Sequence, residues 1–308
     1  MKLNEAVSKS VNLESWKVTN TIALLEDGGS IPFISRYRKE KTGGLDEVEI
    51  QSIKTELDRF KELQKRKQVV LKAIDEQGKL TPELKSKIEA CLHSSVLEDL
   101  YLPFKKKRKT KATEARDNGL EPLAKVLMSQ NPGNVEEMGR KFQGKAKNPD
   151  EALEGARYII AEWMSENGAL RNKLRRHFQR NSSIESKVVK SKKEDAIKFK
   201  DYFEYNESLH KCRSHRFLAL MRGEEEGFLR VKIGPNLDGA IEMMEDFFVK
   251  GFQPASEQVR MACKDAYKRL LAPSLENEVR KENKLKADLE AINVFAKNLR
   301  QLLLAAPL

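Results

Sequence analysis

Apolar residues recur at steps of three and four between Asp46 and about Gln77, and this spacing constrains the segment to one long amphipathic helix. The apolar stripe consists of Ile50, Ile53, Leu57, Phe60 and Leu63. These positions share one face when 3.6 residues make a turn. Asp46 and Glu49 fit a capping box at the start of the helix, and Gly78 ends it.

Helical patterns of this kind dominate the chain, so we predict a mainly α fold, a multi-helix array with long helices. Residues 184–190 and 227–233 are the plausible strands, and they could pair as a small two-stranded β element. Two short helices at 79–102 could form a helix-turn-helix-like unit within residues 64–111. An αα-hairpin that only packs is the alternative.

The order of these patterns predicts three regions along the chain. Residues 1–190 would form a helical domain, and residues 191–272 a small mixed module of short helices and strands. Residues 273–308 would form a long charged helix, because apolar residues continue there at helical spacing.

The segment from Gly28 to Glu49 joins two of the predicted helices, and a glycine pair lies near each of its ends. We interpret it as a structural hub with Ile31, Phe33 and Ile34 as apolar anchors. The hub residues are Ile31, Pro32, Phe33, Arg36, Arg38, Gly43, Gly44 and Asp46. A phosphate cradle is disfavoured, because no Gly-Lys-Ser/Thr follows the glycines and the Asp46 carboxylate would occupy the helix amides. Since Arg36 and Arg38 point to different faces, we expect at least one to find an acidic partner within the chain.

The 308-residue chain carries an excess of positive charge, with 58 lysines and arginines against 47 aspartates and glutamates. The net charge of +11 favours polyanionic partners, because each cation placed on a phosphate releases a counterion. Three scattered cysteines fit a reducing compartment. The N-terminus lacks a signal-peptide core, and no run approaches the roughly 20 apolar residues of a membrane span. We therefore expect a cytoplasmic protein without a membrane contact.

Two basic stretches are the candidate contacts to nucleic acid. The first is a loop with Lys105, Lys106, Lys107, Arg108, Lys109 and Lys111. The second is a helix whose surface carries Arg171, Lys173, Arg175, Arg176 and Arg180. Such cations contact phosphate without reading bases. Few aromatic side chains lie near them, which argues against a dedicated single-strand platform, and a solvated charged face is the alternative.

No catalytic or metal-binding pattern emerges from the sequence. His210, Cys212 and His215 lie close together, but a tetrahedral zinc site needs a fourth ligand and none is evident. Ser214 and His215 lack the elbow and the acid of a hydrolase, and we expect Ser214 to cap a helix. No paired carboxylates suggest acid–base roles. We therefore predict no enzymatic activity, metal, cofactor or small-molecule substrate.

Six stretches of the chain are long and unusual. They read IPFISRYRKEKTGGLDEVE, EDLYLPFKKKRKTKATEARDNGLEPLA, EGARYIIAEWMSENGALRNKLR, KFKDYFEYNESLHKCRSHRFLALMRGEEEG, LENEVRKE and VFAKNLRQLLLAAPL. In this order they resemble the Tex family of bacterial transcription accessory proteins. The chain departs from the family pattern at Phe104, Lys106 and Lys109, at Tyr158, where the family usually has aspartate, and at Cys212-Arg213.

The resemblance implies that this chain is the N-terminal helical part of a longer protein. In the family, an RNase H-like domain, helix-hairpin-helix elements and an OB-fold RNA-binding domain follow. The expected function is therefore a non-enzymatic module of transcription regulation that associates weakly and non-specifically with RNA or DNA, mainly through phosphates. Proteins of the transcription machinery are further expected partners. The alternative is a structural scaffold or protein-interaction module that positions the downstream domains.

Overall fold

Helices carry the fold in the computed structural model, which describes residues 3–105 and 109–304. The mainly α prediction is confirmed. The chain divides into two units, Met1–Lys106 and Lys107–Leu308. The boundaries predicted near residues 190 and 272 do not coincide with this division, because the strand at Ser183–Val188 pairs with strands that lie beyond residue 190.

The first unit is built around one long helix. Its helices are α1 (Leu3–Val11), α2 (Ser15–Glu26), α3 (Ile31–Tyr37), α4 (Lys39–Thr42), α5 (Glu47–Asp75), α6 (Pro82–Ala90) and α7 (Ser94–Tyr101), with a 3₁₀ turn at Leu102–Phe104. Helices α1, α2, α3, α6 and α7 all pack on α5. The five apolar positions predicted for its stripe are buried, together with Val70 and Ile74. Packing on α5 does not test the helix-turn-helix hypothesis for α6 and α7, which stays a prediction.

The start of α5 matches the predicted capping box. The Asp46 carboxylate accepts a hydrogen bond from the Glu49 N–H at 2.8 Å, and the Glu49 carboxylate accepts one from the Asp46 N–H at 2.9 Å. Two backbone donors that no helical turn could satisfy are thereby paired. The Asp46 carboxylate therefore binds a backbone N–H at the start of α5 that a phosphate would need.

The second unit has its own core. Its helices are α8 (Lys111–Asp117), α9 (Glu121–Ser129), α10 (Val135–Lys141), α11 (Pro149–Glu166), α12 (Gly168–Asn181), α13 (Ser214–Glu225), α14 (Leu237–Phe248), α15 (Pro254–Asp265) and α16 (Ala272–Leu303). Helices α8, α9, α10 and α15 surround α11. Asn148 caps α11 by accepting a hydrogen bond from the Glu151 N–H at 2.8 Å. The sequence analysis predicted a boundary between residues 272 and 273, but a π turn at Ala266–Leu271 joins α15 directly to α16. Pro273 lies just beyond it, where its missing N–H interrupts the normal helical bonding.

A three-stranded antiparallel sheet completes the second unit. The strands are β1 (Ser183–Val188), β2 (Glu204–Ser208) and β3 (Leu229–Gly234), in the order β2-β1-β3. The predicted pairing of the first and last strands is present, with Ile184 opposite Ile233. The prediction of two strands was one strand short, because the sequence of β2, EYNES, lacks the apolar alternation that marks a half-buried strand.

Within residues 3–105 and 109–304, no helix combines the length and the apolar composition needed to cross a membrane.

Candidate nucleic-acid interface

The predicted basic loop lies at the division between the two units. Lys105 and Lys109 are exposed, and Lys109 lies 4.0 Å from Glu114. Lys106, Lys107 and Arg108 lie outside the described residues. Lys111 begins α8, and its ammonium group donates a hydrogen bond to the Tyr158 hydroxyl at 3.0 Å. This hydrogen bond raises the pKa of Lys111 above its ordinary value. Lys111 is therefore charged, and its ammonium group is already hydrogen-bonded to a residue of the second unit.

Two of the five predicted cations of α12 lie inside the protein. Arg171 is only 4% exposed, and its Nη2 lies 2.8 Å from Glu278 Oε1 and 3.0 Å from the Ser274 hydroxyl. Arg175 donates from Nε to the other oxygen of Glu278, also at 2.8 Å. One carboxylate thus fastens α12 to α16 through two guanidinium groups, so these two arginines differ from the surface position that the sequence analysis expected.

The positions of the buried leucines in α12 could have indicated which of its arginines are buried. Arg171 and Arg175 each follow a buried leucine, Leu170 or Leu174, by one position. They therefore lie beside the apolar ridge and within reach of the helix that covers it.

The other three predicted cations of α12 form an exposed row. Lys173, Arg176 and Arg180 are exposed. Steps of three and four place them along one face of the helix. None of the three forms an ion pair with any residue in the part of the chain that the structure describes. We call them the α12 row.

The outer face of the sheet carries a second basic group that the sequence analysis missed. Lys187 of β1 lies directly opposite Arg230 of β3, and Lys232 lies one row further along β3, opposite Glu185. Lys187, Arg230 and Lys232 are exposed, and with Lys190 they line a groove of about 650 Å³ beside the two strands. We call Lys187, Lys190, Arg230 and Lys232 the basic sheet face.

Strand register is the reason that this face escaped the sequence analysis. Lys187 and Arg230 are separated by 42 intervening positions, and only the antiparallel register of β1 with β3 makes them neighbours. Neither forms an ion pair with a described residue, although Glu204 of β2 lies opposite Lys187. Helix α12 ends at Asn181, and β1 begins at Ser183, so the α12 row and the basic sheet face lie on consecutive elements.

The segment from Gly28 to Glu49 connects α2 to α5, and α3 packs on α5 while α4 packs on α2. Its anchors differ from the prediction. Ile34 is fully buried and packs in the core, whereas Phe33, expected as an anchor, is 41% exposed. The reason is the pitch of α3: Ile34 and Ser35 face α5, which turns Phe33 to the outside. Arg36 pairs with Glu47 at 3.6 Å, as expected for at least one of the two arginines, and Arg38 stacks over the Phe33 ring.

Two glycines of this segment have a backbone conformation that favours glycine. Gly43 and Gly44 have φ of +67° and +81°, values that favour glycine. A Cβ on Gly43 would lie 2.6 Å from the Trp16 ring, whereas one on Gly44 would meet nothing within 4 Å. The Gly43 position therefore requires glycine for packing as well as for conformation.

The segment around His210 and Cys212 lines a cavity between the start of α13 and α16. Over residues 3–105 and 109–304, no three histidine, cysteine or acidic side chains converge in a way that could hold a metal ion. Ser214, expected as a helix cap, is instead the first residue of α13, and its hydroxyl donates to Glu290 of α16. The Cys212 thiol has its pKa raised to about 11 by burial and by the nearby Glu207 carboxylate. A thiol held protonated in this way is a poor nucleophile.

Two segments of the chain match models of known protein families. Residues 1–75 match the model of the Tex-like protein N-terminal domain, and residues 134–295 match that of the Tex central region. The chain is 39% identical to the transcriptional accessory protein Tex of Neisseria gonorrhoeae, covering all of this chain and 42% of that protein.

Two further proteins are similar to nearly the whole chain. The uncharacterized protein YdcI of Bacillus subtilis is also 39% identical, over 99% of this chain and 43% of its own length. The human S1 RNA-binding domain-containing protein 1 is 29% identical over 98% of this chain and 32% of its own length. The chain thus spans about two fifths of the length of the bacterial relatives.

Proposed function

The chain belongs to the Tex family, and from that premise we propose that it is a non-enzymatic module that associates with nucleic acid through phosphate contacts. The contacts are made by the basic sheet face and by the α12 row, both in the second unit. Lys105 and Lys109 are additional candidates beside them. The names of two relatives, a transcriptional accessory protein and an S1 RNA-binding domain-containing protein, support nucleic acid as the ligand class.

The observation that carries the proposal is the like-charge pair formed by Lys187 and Arg230. Like charges directly opposite each other in an antiparallel pair destabilise the sheet. Lys232 adds a third cation on the same face, and Glu185 is its nearest cross-strand acid. An anion bound over these residues would relieve the repulsion, and a chain of phosphates would do so at several cations together.

Protection of an open sheet edge is the competing explanation for charged side chains on β3, which is an edge strand. That edge is already covered. The Val231 N–H donates to Glu224 at 3.2 Å and the Ile233 N–H to Glu276 at 2.9 Å, while Arg280 donates to the Val231 carbonyl at 2.9 Å. Because side chains of α13 and α16 satisfy the free backbone groups, the strand does not need Arg230 or Lys232 to prevent pairing with another chain.

A salt titration of the double variant Arg230→Gln/Lys232→Gln tests the proposal. Log affinity should fall linearly with log salt for the unaltered chain, and losing two phosphate contacts should reduce the slope by about 1.4–1.8. The single variant Arg230→Gln removes the like-charge pair and keeps Lys232 opposite Glu185, so it should raise the free energy of unfolding by about 0.2–1 kcal/mol. A gain in stability together with a loss of affinity distinguishes a binding role from a folding role.

The matched control is Lys54→Gln/Lys65→Gln, which removes two exposed cations from α5. We expect this variant to lower affinity only slightly, through net charge. If the sheet variant binds with the same slope as the control, the phosphate contacts do not lie on the sheet face, and the proposal fails.

A scaffold function has a specific observation in its favour, the exposed apolar stripe of α16. Its residues, all more than 40% exposed, are Leu285, Leu289, Ile292, Phe295, Leu299 and Leu302. Spacings of three and four make them one face, typical of a helix that packs on further polypeptide. In that case Ile292→Glu/Phe295→Glu should abolish binding to a protein partner and leave the salt slope for nucleic acid unchanged.

A further inference from the structure

The outward face of α3 presents two aromatic rings to solvent. Phe33 is 41% exposed and Tyr37 is 64% exposed. They lie one helical turn apart, with ring centroids 5.5 Å from each other and planes inclined by 40°. Neither ring belongs to the hydrophobic core of the first unit, which includes Ile34 of the same helix.

Cations follow these rings closely in the sequence, and one of them contacts a ring. The Arg38 guanidinium carbon lies 5.0 Å from the Phe33 ring centroid, and the group donates to the Tyr37 carbonyl at 2.9 Å, which fixes it beside the rings. Arg36 lies on the same outward face, and its contact with Glu47 is loose, at 3.6 Å between two exposed groups. Such an exposed pair is worth little and exchanges readily for another anion. Lys39 is exposed immediately beyond Arg38.

Rings and guanidinium planes next to each other form the arrangement that binds unpaired bases. Single strands are held by aromatic or arginine planes that stack on bases, combined with cations that contact the backbone. A duplex hides the faces of its bases and could use only the cations. An acidic peptide could use the cations too, but its carboxylates have no aromatic face to stack on Phe33 and Tyr37.

We propose that Phe33 and Tyr37, with Arg36 and Arg38, form a stacking site for the bases of single-stranded nucleic acid. The inference rests on the proposed function for its ligand class. It adds a contact of a different kind in the other unit, one that depends on bases rather than on phosphates. The α3 site therefore supplies a preference for single strands over duplexes, which the phosphate contacts of the second unit do not.

The test compares a short oligothymidine with an abasic strand of equal length, using the whole chain. Both strands carry the same phosphates, and only one carries bases. We expect the oligothymidine to bind roughly five-fold to a hundred-fold more tightly, the range for one stacked base. Phe33→Leu/Tyr37→Leu should abolish that difference and leave the salt slope unchanged.

Phe252→Leu is the matched control. Phe252 is 93% exposed and has the Arg260 guanidinium 5.6 Å from its ring, so it is also an exposed aromatic beside an arginine. It lies in the second unit, outside the proposed site. We expect Phe252→Leu to keep the full preference for the oligothymidine. Circular dichroism of each variant checks that it is folded.

A second readout does not depend on the loss of binding. Tyr37→Trp keeps a stacking ring and adds a fluorophore to a chain with two tryptophans. Oligothymidine should quench the added emission and saturate at the concentration that saturates binding. The abasic strand should leave the added emission unchanged.

Two outcomes would overturn the stacking site. Equal affinity of the unaltered chain for both strands, with a retained salt slope, would remove it and leave the phosphate contacts standing. Binding of an oligoglutamate peptide that Phe33→Leu/Tyr37→Leu abolishes, without any preference for bases, would make the face a protein-docking surface instead. Absence of salt-dependent binding to either strand would reject the stacking site and the proposed function together.

Discussion

The carboxylate of Glu278 holds two helices together, and its removal should destabilise the second unit. Glu278→Ala takes the acceptor away from Arg171 and Arg175, whose side chains are only 5% and 12% exposed. Both guanidinium groups would stay charged and would lose their carboxylate partner on α16. Removing one member of a buried ion pair is strongly destabilising for this reason.

The geometry sets the size of the effect. Glu278 accepts two charge-assisted hydrogen bonds of 2.8 Å, and each such bond contributes about 1.5–3 kcal/mol. Glu278 is 32% exposed, so water screens part of the interaction. Arg171 also keeps its hydrogen bond to Ser274. We therefore expect a loss of about 2–4 kcal/mol in the free energy of unfolding, or about 5–15 °C in Tm for a unit of this size.

Differential scanning calorimetry and urea denaturation of the whole chain measure the effect. The control is Glu282→Ala, one turn further along α16, which breaks an exposed pair with Lys286 at 3.0 Å. Exposed pairs contribute less than about 1 kcal/mol. If Glu278→Ala lowers the Tm no more than Glu282→Ala does, the two arginines are not structural, and they return to the list of candidate phosphate contacts.

Two further predictions concern the glycine hub and the buried thiol of Cys263. Gly44→Ala should lower the free energy of unfolding by about 1–2 kcal/mol for its left-handed backbone alone, and Gly43→Ala should lower it further because the new Cβ meets Trp16; chemical denaturation of both variants checks the order. Burial raises the pKa of Cys263 to about 12 from an ordinary value of 9.0. Since only the unfolded thiol ionises between these values, stability should fall as pH rises above about 9, and Cys263→Ser should flatten that part of the stability–pH curve.

Much of the helical framework could be predicted from local spacing. The α5 stripe, the Asp46 capping box and the Asn148 cap depend on residues within a few positions of one another, so their signals are contained in short windows of sequence. The β2 strand could not be found in this way. It is polar, and it forms because its backbone pairs with β1, whereas its own composition does not favour a strand.

The candidate sites depended on contacts that are distant in sequence. Arg171 is buried because Glu278 reaches it from 107 positions away, and no local pattern encodes that pairing. Lys187 and Arg230 become neighbours only through strand register. The seven residues of α3 make two turns, too few for a periodic pattern to show that Phe33 faces outward while Ile34 faces inward.

The distinction between paired and unpaired arginines also explains where the net charge of the chain resides. An ion pair of one cation with one anion, such as that of Lys61 with Glu26, cancels in the net charge. Cations without carboxylate partners therefore contribute to the excess of +11. The α12 row and the basic sheet face are such cations, grouped on consecutive elements where their mutual repulsion destabilises the fold. Basic character spread evenly over the surface would not require that grouping, whereas a bound polyphosphate backbone would stabilise it.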